Sequence, residues 1–261
     1  MKRTAAKILC VILVISAIRL SAQDRPLRFG FLVSPLSSWV KNNDNLIVEN
    51  GGNVGIKLGA TADVYFKKNY SFTMGFDLAF HEGGEFLYEI GGNFLPHSEL
   101  SDEILQTGDK PLPDGVKIRY NMTYLEFPVG FKIRTREKET SNLRYFIEAP
   151  VFTFSFLTRA RGDIETNDAV YEEENIYKDL SVINIFWGLG AGLEYSISQN
   201  NSLVGGIYYQ KGFFDFIRDE GFWAIDNPDK DINDPATYYL KPTEDSRAQV
   251  GNLVLRLGIL F

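Results

Sequence analysis

The dominant pattern along the chain is an alternation of apolar and polar residues that begins near residue 27 and recurs in eight segments. In the third segment, for example, Tyr70 and Phe72 share one face while Ser71 and Thr73 share the other. A period of two residues is typical of a β-strand whose faces meet different surroundings. The sequence therefore predicts eight strands, most of them about ten residues or longer.

The connections between the predicted strands alternate between short and long. Short turns are expected at 67–69, 135–142 and 198–201, and long loops at 36–51, 82–116, 159–180 and 214–248. Membrane barrels have an even number of antiparallel strands, with short periplasmic turns at one end and long extracellular loops at the other. The sequence thus predicts an all-β fold, an eight-stranded antiparallel up-and-down transmembrane β-barrel. A soluble sandwich has no reason to place every long loop at one end.

Two features of the predicted strands interrupt the regular pattern. The fifth strand, 143–158, does not reveal its outward face, because Glu148 shares one face with phenylalanines while Thr153 and Ser155 lie on the other. Pro128 and Pro150 fall inside strands, where proline cannot donate to the ladder. We therefore expect a β-bulge near each proline.

The first residues have the composition of a secretory signal. A basic start precedes an apolar stretch over residues 8–20, and Ser21 and Ala22 supply the small residues of a cleavage site. We predict a signal peptide over residues 1–22 and a barrel over 23–261, integral to the outer membrane. An uncleaved anchor is less favoured because the stretch is short. Cys10 would leave with the signal, so neither disulfides nor thiol chemistry are expected.

Charge separates the two ends of the predicted barrel. The formal net charge is −7, and the segments 37–50, 81–116, 159–180 and 214–247 together hold 26 acidic and 9 basic residues. An acidic chain of this kind is not expected to bind nucleic acid, which requires clustered Lys and Arg. The turn end is mildly basic and carries aromatics typical of a membrane girdle: Tyr65, Phe66, Tyr70, Phe131, Tyr145, Tyr195 and Phe261.

The inward face of the predicted barrel carries charges of both signs. They are Lys57, Asp63, Asp77, Glu126, Lys132, Glu194 and Arg256. Eight strands enclose a space that side chains can fill, so a paired polar core is favoured over a narrow ion path. Gly188, Gly190 and Gly192 recur at every second residue, which indicates space left inside the barrel and not a phosphate-binding loop.

The sequence contains few candidate catalytic residues. His81 is predicted on the inward face, and His97 lies in a long loop beside Ser98. Histidine, serine and aspartate near the outer rim could support hydrolysis or acyl transfer. No motif fixes such a geometry here, so we expect neither an enzyme nor a cofactor.

One acidic loop resembles the opening of a calcium-binding EF-hand. Asp229, Asp231 and Asn233 have the spacing of the first ligands. The loop lacks glycine at the sixth position, and its twelfth position is Leu240 where glutamate is needed. A solvated acidic loop is therefore favoured over a calcium site.

The long loops are rich in aromatic residues. These are Phe86, Tyr88 and Phe94 in the second loop, and Phe214, Phe216, Phe222 and Trp223 in the fourth. Exposed aromatics are typical of protein interfaces, which favours partner binding. Equally, the strands could extend above the membrane and the loops could pack on one another.

Several segments are similar to one protein family. The signal end Ser21-Ala22-Gln23, the segments 124–132 and 145–150, and the terminal 257–261 resemble the PorT-like outer-membrane barrels of Bacteroidetes-type bacteria. The resemblance implies that Phe261 is the aromatic read by the barrel-assembly machinery. It also implies a role in type IX protein secretion.

The expected function is accordingly that of a non-enzymatic accessory or binding component of protein export. Its partners would be outer-membrane lipid, lipopolysaccharide and other secretion proteins. A stand-alone structural or adhesive surface barrel is the alternative. An outer-membrane enzyme acting on lipid A or peptides comes third.

Overall fold

The computed structural model describes residues 27–98, 100, 111–136, 142–218, 221–229 and 238–261. Eight long strands are present: β1 (Leu27–Lys41), β2 (Ile47–Lys67), β3 (Tyr70–Tyr88), β4 (Val116–Arg134), β5 (Leu143–Glu165), β6 (Ile183–Ser196), β7 (Ser202–Gly212) and β8 (Gln249–Leu260). Each pairs antiparallel with its neighbours in sequence, and β8 pairs with β1 from Gly30↔Leu260 to Lys41↔Gln249. The ring is therefore closed, which confirms the predicted eight-stranded barrel.

Among the described residues, no helix has the length and apolar character needed to cross a membrane.

The two faces of the strands separate as predicted. Outward side chains are apolar and exposed, including Phe31, Met74 and Leu255. Aromatic contacts occur near both ends of this apolar band. Phe66 stacks on Phe131 at the turn end, with ring centroids 6.0 Å apart. Tyr65, expected in that girdle, instead points into the barrel and is buried.

Strands β2, β3, β4 and β5 are 19 to 23 residues long, whereas β6, β7 and β8 have 11 to 14. The first three long loops are accordingly shorter than predicted: 42–46, 89–115 and 166–182. The four long strands rise above the apolar band as a wall on one side of the barrel. Sequence inspection predicted β4 from residue 117 but assigned the upper segments of β2, β3 and β5 to loops, because a register shift interrupts the alternation in each of these strands.

Two bulges explain the ambiguous fifth strand. A register shift between Glu148 and Val151 places an extra residue at Pro150, and a second shift follows near Thr158. Each extra residue reverses which positions face inward, because side chains alternate along a strand. Glu148 therefore points inward together with Val151, although one position is even and the other odd.

The bulge expected near Pro150 is confirmed, but the one expected at Pro128 is wrong. Pro128 lies opposite Thr153 in unbroken register. On its other side the ring lies against Gly75, where a Cβ would stand 3.0 Å from the proline Cγ. Because glycine has no side chain at this position, the ring fits without displacing the strand.

A third bulge, in β3, reverses the upper half of that strand. The pairs Ala79↔Tyr124 and Glu82↔Met122 enclose one extra residue, and His81 adopts a positive φ of 59°. His81 is exposed, so its predicted inward position is wrong. Above the bulge, even-numbered residues face inward, which brings Glu82, Phe86 and Tyr88 into the interior.

The outward band predicts a position-dependent response to charge. Leu255→Arg, in the middle of β8, should lower the free energy of unfolding by about 2–4 kcal/mol, because the guanidinium would enter hydrocarbon. Val48→Arg, equally exposed but above the band, should change it by less than about 0.5 kcal/mol. Urea unfolding in lipid vesicles, followed by tryptophan fluorescence, measures both. Equal effects of the two changes would contradict a lipid-facing role for β8.

Candidate functional site: the barrel interior and the loop cap

The middle of the barrel is organised around Lys57. Its Nζ lies 2.6 Å from Glu82 Oε1 and 2.7 Å from Glu126 Oε2, and it donates to Gln210 Oε1 at 3.1 Å. Asn252 donates to Glu82 at 3.0 Å. All of these side chains are buried. One cation thus connects residues from β2, β3, β4 and β7 across the barrel.

A second cluster lies toward the turn end. Lys132 Nζ contacts Asp63 Oδ2 at 2.7 Å and Glu194 Oε1 at 3.7 Å. Arg28 reaches Glu194 at 3.3 Å and donates to Ser202 at 2.8 Å. Asp63 also accepts hydrogen bonds from Tyr65 and Thr73. The carboxylates are therefore neutralised by cations from other strands, as buried charges require.

The third cluster joins β5, β7 and β8. The Tyr208 hydroxyl donates to Glu148 Oε2 at 2.7 Å, and Arg256 lies 3.5 Å from the same oxygen. The Arg256 guanidinium also stacks 3.9 Å above the Tyr208 ring. Asp77 is buried next to Gly59, where a Cβ would come within 1.7 Å of its Oδ1.

All seven predicted interior residues lie inside the barrel. Sequence reasoning missed four charged partners in the network: Arg28, Glu82, Arg134 and Glu148. Arg28 was on the predicted polar face, so its alternation could have identified it. Glu82 follows the bulge at His81 and Glu148 precedes the bulge at Pro150, and these bulges conceal the inward orientation of both residues.

The interior is filled and not open. The predicted space beside the β6 glycines is occupied: a Cβ on Gly190 would stand 2.2 Å from the Tyr208 ring, and one on Gly192 would stand 2.6 Å from Phe146. A cavity of about 10 Å³ between Lys132, Tyr208 and Arg256 has room for about one water molecule. The described residues thus form a plugged barrel.

Above the polar clusters, the interior becomes an aromatic core that continues into the loops. Tyr88 stacks on Phe94 at a centroid distance of 4.0 Å, and Trp223 meets Phe94 edge-on at 5.1 Å. Phe216 packs against Tyr120 at 5.3 Å, and the Tyr120 and Tyr88 hydroxyls are 2.8 Å apart. Burial raises the pKa of the Tyr88 hydroxyl well above its usual value, so this pair stays neutral.

These contacts define a loop cap, formed by the described parts of residues 89–115, 166–182 and 213–248. Gly92–Asn93 pairs with Phe222–Trp223, and Leu180 bridges Ile217. Val170–Asn175 forms a hairpin with β5, and Ile225–Asp226 pairs with Tyr239–Leu240. The second, third and fourth loops therefore stabilise one another across the mouth of the barrel.

The cap changes the expected partner surface. Of the seven aromatic residues proposed for it, Phe86, Tyr88, Phe94, Phe216 and Trp223 are buried, Phe222 is half-buried, and Phe214 is exposed. The burial of five of them favours the second interpretation, in which the strands extend and the loops pack together. Of the seven proposed residues, only Phe214 and part of Phe222 remain on the surface.

Asp179 connects two loops at the edge of the cap. Its Oδ1 accepts the His97 backbone N–H at 3.0 Å and lies 3.2 Å from His97 Nδ1. The Ser98 hydroxyl donates to the other carboxylate oxygen. Asp179 is buried, whereas the His97 side chain is half exposed. The serine thus donates to the carboxylate and not to a histidine.

The described residues contain no group of three or more acidic, histidine or cysteine side chains arranged to hold a metal ion. Asp229 is exposed near the start of the calcium-like loop. Asp231 and Asn233, the other two expected ligands, lie outside the described residues.

The comparisons with known proteins agree with this architecture. Residues 21–218 match the family described as outer membrane protein beta-barrel domain. The chain belongs to this family. Its membrane is therefore the outer membrane, and the long loops are on the extracellular side. No curated protein sequence matches the chain.

Solved barrels resemble the chain only distantly. Ail, the attachment invasion locus protein of Yersinia pestis, is 9% identical with a TM-score of 0.35, over 90% of this chain and 98% of that one. A major outer membrane protein from Thermus thermophilus is 14% identical with a TM-score of 0.36, over 90% and 98%. The outer membrane protease OmpT from Escherichia coli is 7% identical with a TM-score of 0.35, over 94% and 99%. Similarities this low carry no functional conclusion.

The Lys57 cluster predicts a large penalty for removing its cation. Lys57→Met should destabilise the barrel by about 3–5 kcal/mol, because Glu82 and Glu126 would remain buried without a counter-charge. Lys117→Met, which breaks the exposed pair with Glu165, should leave the free energy of unfolding nearly unchanged, because solvent screens the pair. Urea unfolding in vesicles compares the two. A Lys57→Met protein as stable as the Lys117→Met protein would show that the cluster is not paired.

The filled interior predicts a barrel that does not conduct ions. Purified protein in a planar bilayer should show no steady single-channel conductance, because the Lys57, Lys132 and Arg256 clusters occupy the cross-section. An open porin in the same bilayer serves as the positive control. A steady open channel would contradict the closed interior.

Proposed function

We propose that the protein is a non-enzymatic, non-conducting outer-membrane barrel whose loop cap binds a partner at the cell surface. The observation that carries this proposal is that the cap is packed internally while many of its acidic side chains remain exposed. These include Glu89, Asp114, Asp168, Glu172, Glu173, Asp226 and Asp229. Carboxylates held on a preorganised frame bind a basic partner with little loss of entropy, and their field speeds its approach.

The more specific form of the proposal is an accessory role in protein export, within type IX secretion. It is supported by the similarity of segments 124–132, 145–150 and 257–261 to PorT-like barrels. The partners would then be other secretion proteins, with the barrel-assembly machinery acting on Phe261 during insertion. A stand-alone structural or adhesive barrel is the alternative, and the same exposed cap is consistent with it.

An enzyme acting on lipid A or peptides has the least support. A catalytic serine needs a base to accept its proton, yet the Ser98 hydroxyl donates to Asp179. His81 is exposed on the outside of β3. The contacts of Asp179 instead serve to hold the second loop against the third.

The export role predicts a secretion defect. Deletion of the gene should remove type IX cargo from the culture medium, as measured by mass spectrometry, and the intact gene should restore it. A cap variant carrying Asp168→Asn, Glu172→Gln, Asp226→Asn and Asp229→Asn should fail to restore it, because the acidic surface would be neutralised. Lys67→Gln with Lys68→Gln, at the opposite rim, is the control and should restore secretion.

Two outcomes separate the alternatives. Unaffected export in the deletion strain contradicts the export role and favours the structural or adhesive barrel. Loss of secretion on His97→Ala with the fold intact would instead favour an enzyme.

A further inference from the structure

Three basic residues lie together on the outer surface of the barrel, just above the apolar band. Lys41 ends β1 opposite Gln249, and Lys211 lies opposite Gly251 near the end of β7. Arg247 precedes β8, and its backbone N–H donates to Asn43 Oδ1 at 2.7 Å. Lys41 and Arg247 are exposed and Lys211 is half-buried. We refer to Lys41, Lys211 and Arg247 as the basic patch.

The basic patch differs from the cations on the other side of the barrel. There, Lys117 pairs with Glu165 at 2.7 Å, Arg119 with Glu85 at 2.8 Å, and Arg159 with Glu173 at 2.9 Å. None of the three patch side chains forms an ion pair with a carboxylate of the described residues. The patch is therefore an unneutralised positive surface at an end of the barrel that is otherwise acidic.

The acidic residues closest in sequence, Asp44, Asp215 and Asp245, form no ion pair with the three patch side chains. Asp44 accepts the Leu46 N–H at 2.8 Å. Asp215 accepts the N–H groups of Ile217 at 3.0 Å and Ala248 at 3.1 Å. Asp245 is exposed, two positions before Arg247. Of these three carboxylates only Asp245 is exposed, while Asp44 and Asp215 are half-buried.

An aromatic group lies beside the patch on the same outward surface. Trp39 and Tyr209 have ring centroids 6.3 Å apart, and Trp187 meets Tyr209 at 6.0 Å. The Trp39 indole covers Gly251, where a Cβ would stand 2.6 Å from the ring. Tryptophan and tyrosine concentrate at the level of the lipid headgroups, so the patch lies at the outer-leaflet boundary.

We propose that the basic patch binds the phosphate groups of an anionic outer-leaflet lipid of the lipopolysaccharide type. Lys41 on β1 and Lys211 on β7 are separated by the intervening strand β8, hence by two strand spacings, and by two residues along the strand direction. These separations place their Cα atoms about 12 Å apart. Long side chains at that separation reach two phosphates of one headgroup, while the acyl chains lie on the apolar band below Trp39. A protein ligand is less suited, because the patch faces sideways into the bilayer surface.

Lipid binding to the folded protein tests the proposal. Bis-phosphorylated lipid A is titrated into the purified barrel in detergent micelles, and the bound fraction is measured by native mass spectrometry. Lys41→Gln, Lys211→Gln and Arg247→Gln together should weaken binding about 100-fold, at about fivefold for each charge. The triple change Lys117→Gln, Arg119→Gln and Arg159→Gln, on the opposite side, should leave it unchanged.

Two further probes identify the source of the phosphate. Dephosphorylated lipid A should bind to the unmodified protein as weakly as bis-phosphorylated lipid A binds to the patch variant. Inorganic phosphate should not displace bis-phosphorylated lipid A from the unmodified protein. A patch variant with unchanged affinity, equal binding of dephosphorylated lipid A, or competition by inorganic phosphate would each overturn the proposal. Folding of every variant is checked by the heat-dependent shift in gel mobility. Should the triple variant not fold, Lys41→Gln with Arg247→Gln is expected to weaken binding about 25-fold.

Discussion

The pairing of β8 with β1 is the constraint on which the rest of the structure depends. In hydrocarbon no water is present to bond a free backbone group, so a sheet can cross a membrane only if its first and last strands meet. Ten residue pairs between β1 and β8 accomplish this closure. With eight strands the enclosed space is narrow, and the polar side chains facing it must bond to one another. The Lys57, Lys132 and Arg256 clusters follow directly from this geometry.

The bulges convert this simple ring into a barrel with two different interiors. In β3 the extra residue at His81 moves Phe86 and Tyr88 inward, and in β5 the extra residue near Thr158 does the same for Ala160 and Ile164. The long strands consequently continue upward with apolar residues on their inner face. The loops then have a hydrophobic surface on which to pack. The exposed acidic surface of the cap thus depends on backbone irregularities well below it.

The alternation of apolar and polar residues was sufficient to predict the closed ring, the order of its strands and, for most strands, which residues face inward. It also located Lys57, Asp63, Glu126 and Arg256 in the interior, because they lie in uninterrupted stretches of period two. It failed where a bulge changes the phase, as for His81 and Glu82, since no residue type uniquely marks a bulge. Pro150 marked one, but Pro128 did not, because Gly75 on the neighbouring strand provides room for its ring. Such a compensation between strands is visible only once the register is known.

The cap illustrates a second limit of sequence reasoning. Phe94, Phe216 and Trp223 are far apart in sequence, and nothing in their local pattern separates an exposed aromatic residue from one that packs across the barrel mouth. Burial of these rings by neighbouring loops depends on the strand extension, which was concealed by the same phase changes. The basic patch was likewise invisible, because its three residues come together only through the pairing of β1, β7 and β8.

The most direct test of the account is a scan of lipid contact along β5. Single tryptophans are placed at successive positions from 145 to 156 in a variant lacking the native tryptophans, and quenching by brominated lipid is measured in vesicles. The account predicts strong quenching at 145 and 147, a break at 149–150, and strong quenching again at 152, 154 and 156, with little at 146, 148, 151, 153 and 155. An unbroken alternation through residue 150, or equal quenching on both faces, would contradict it.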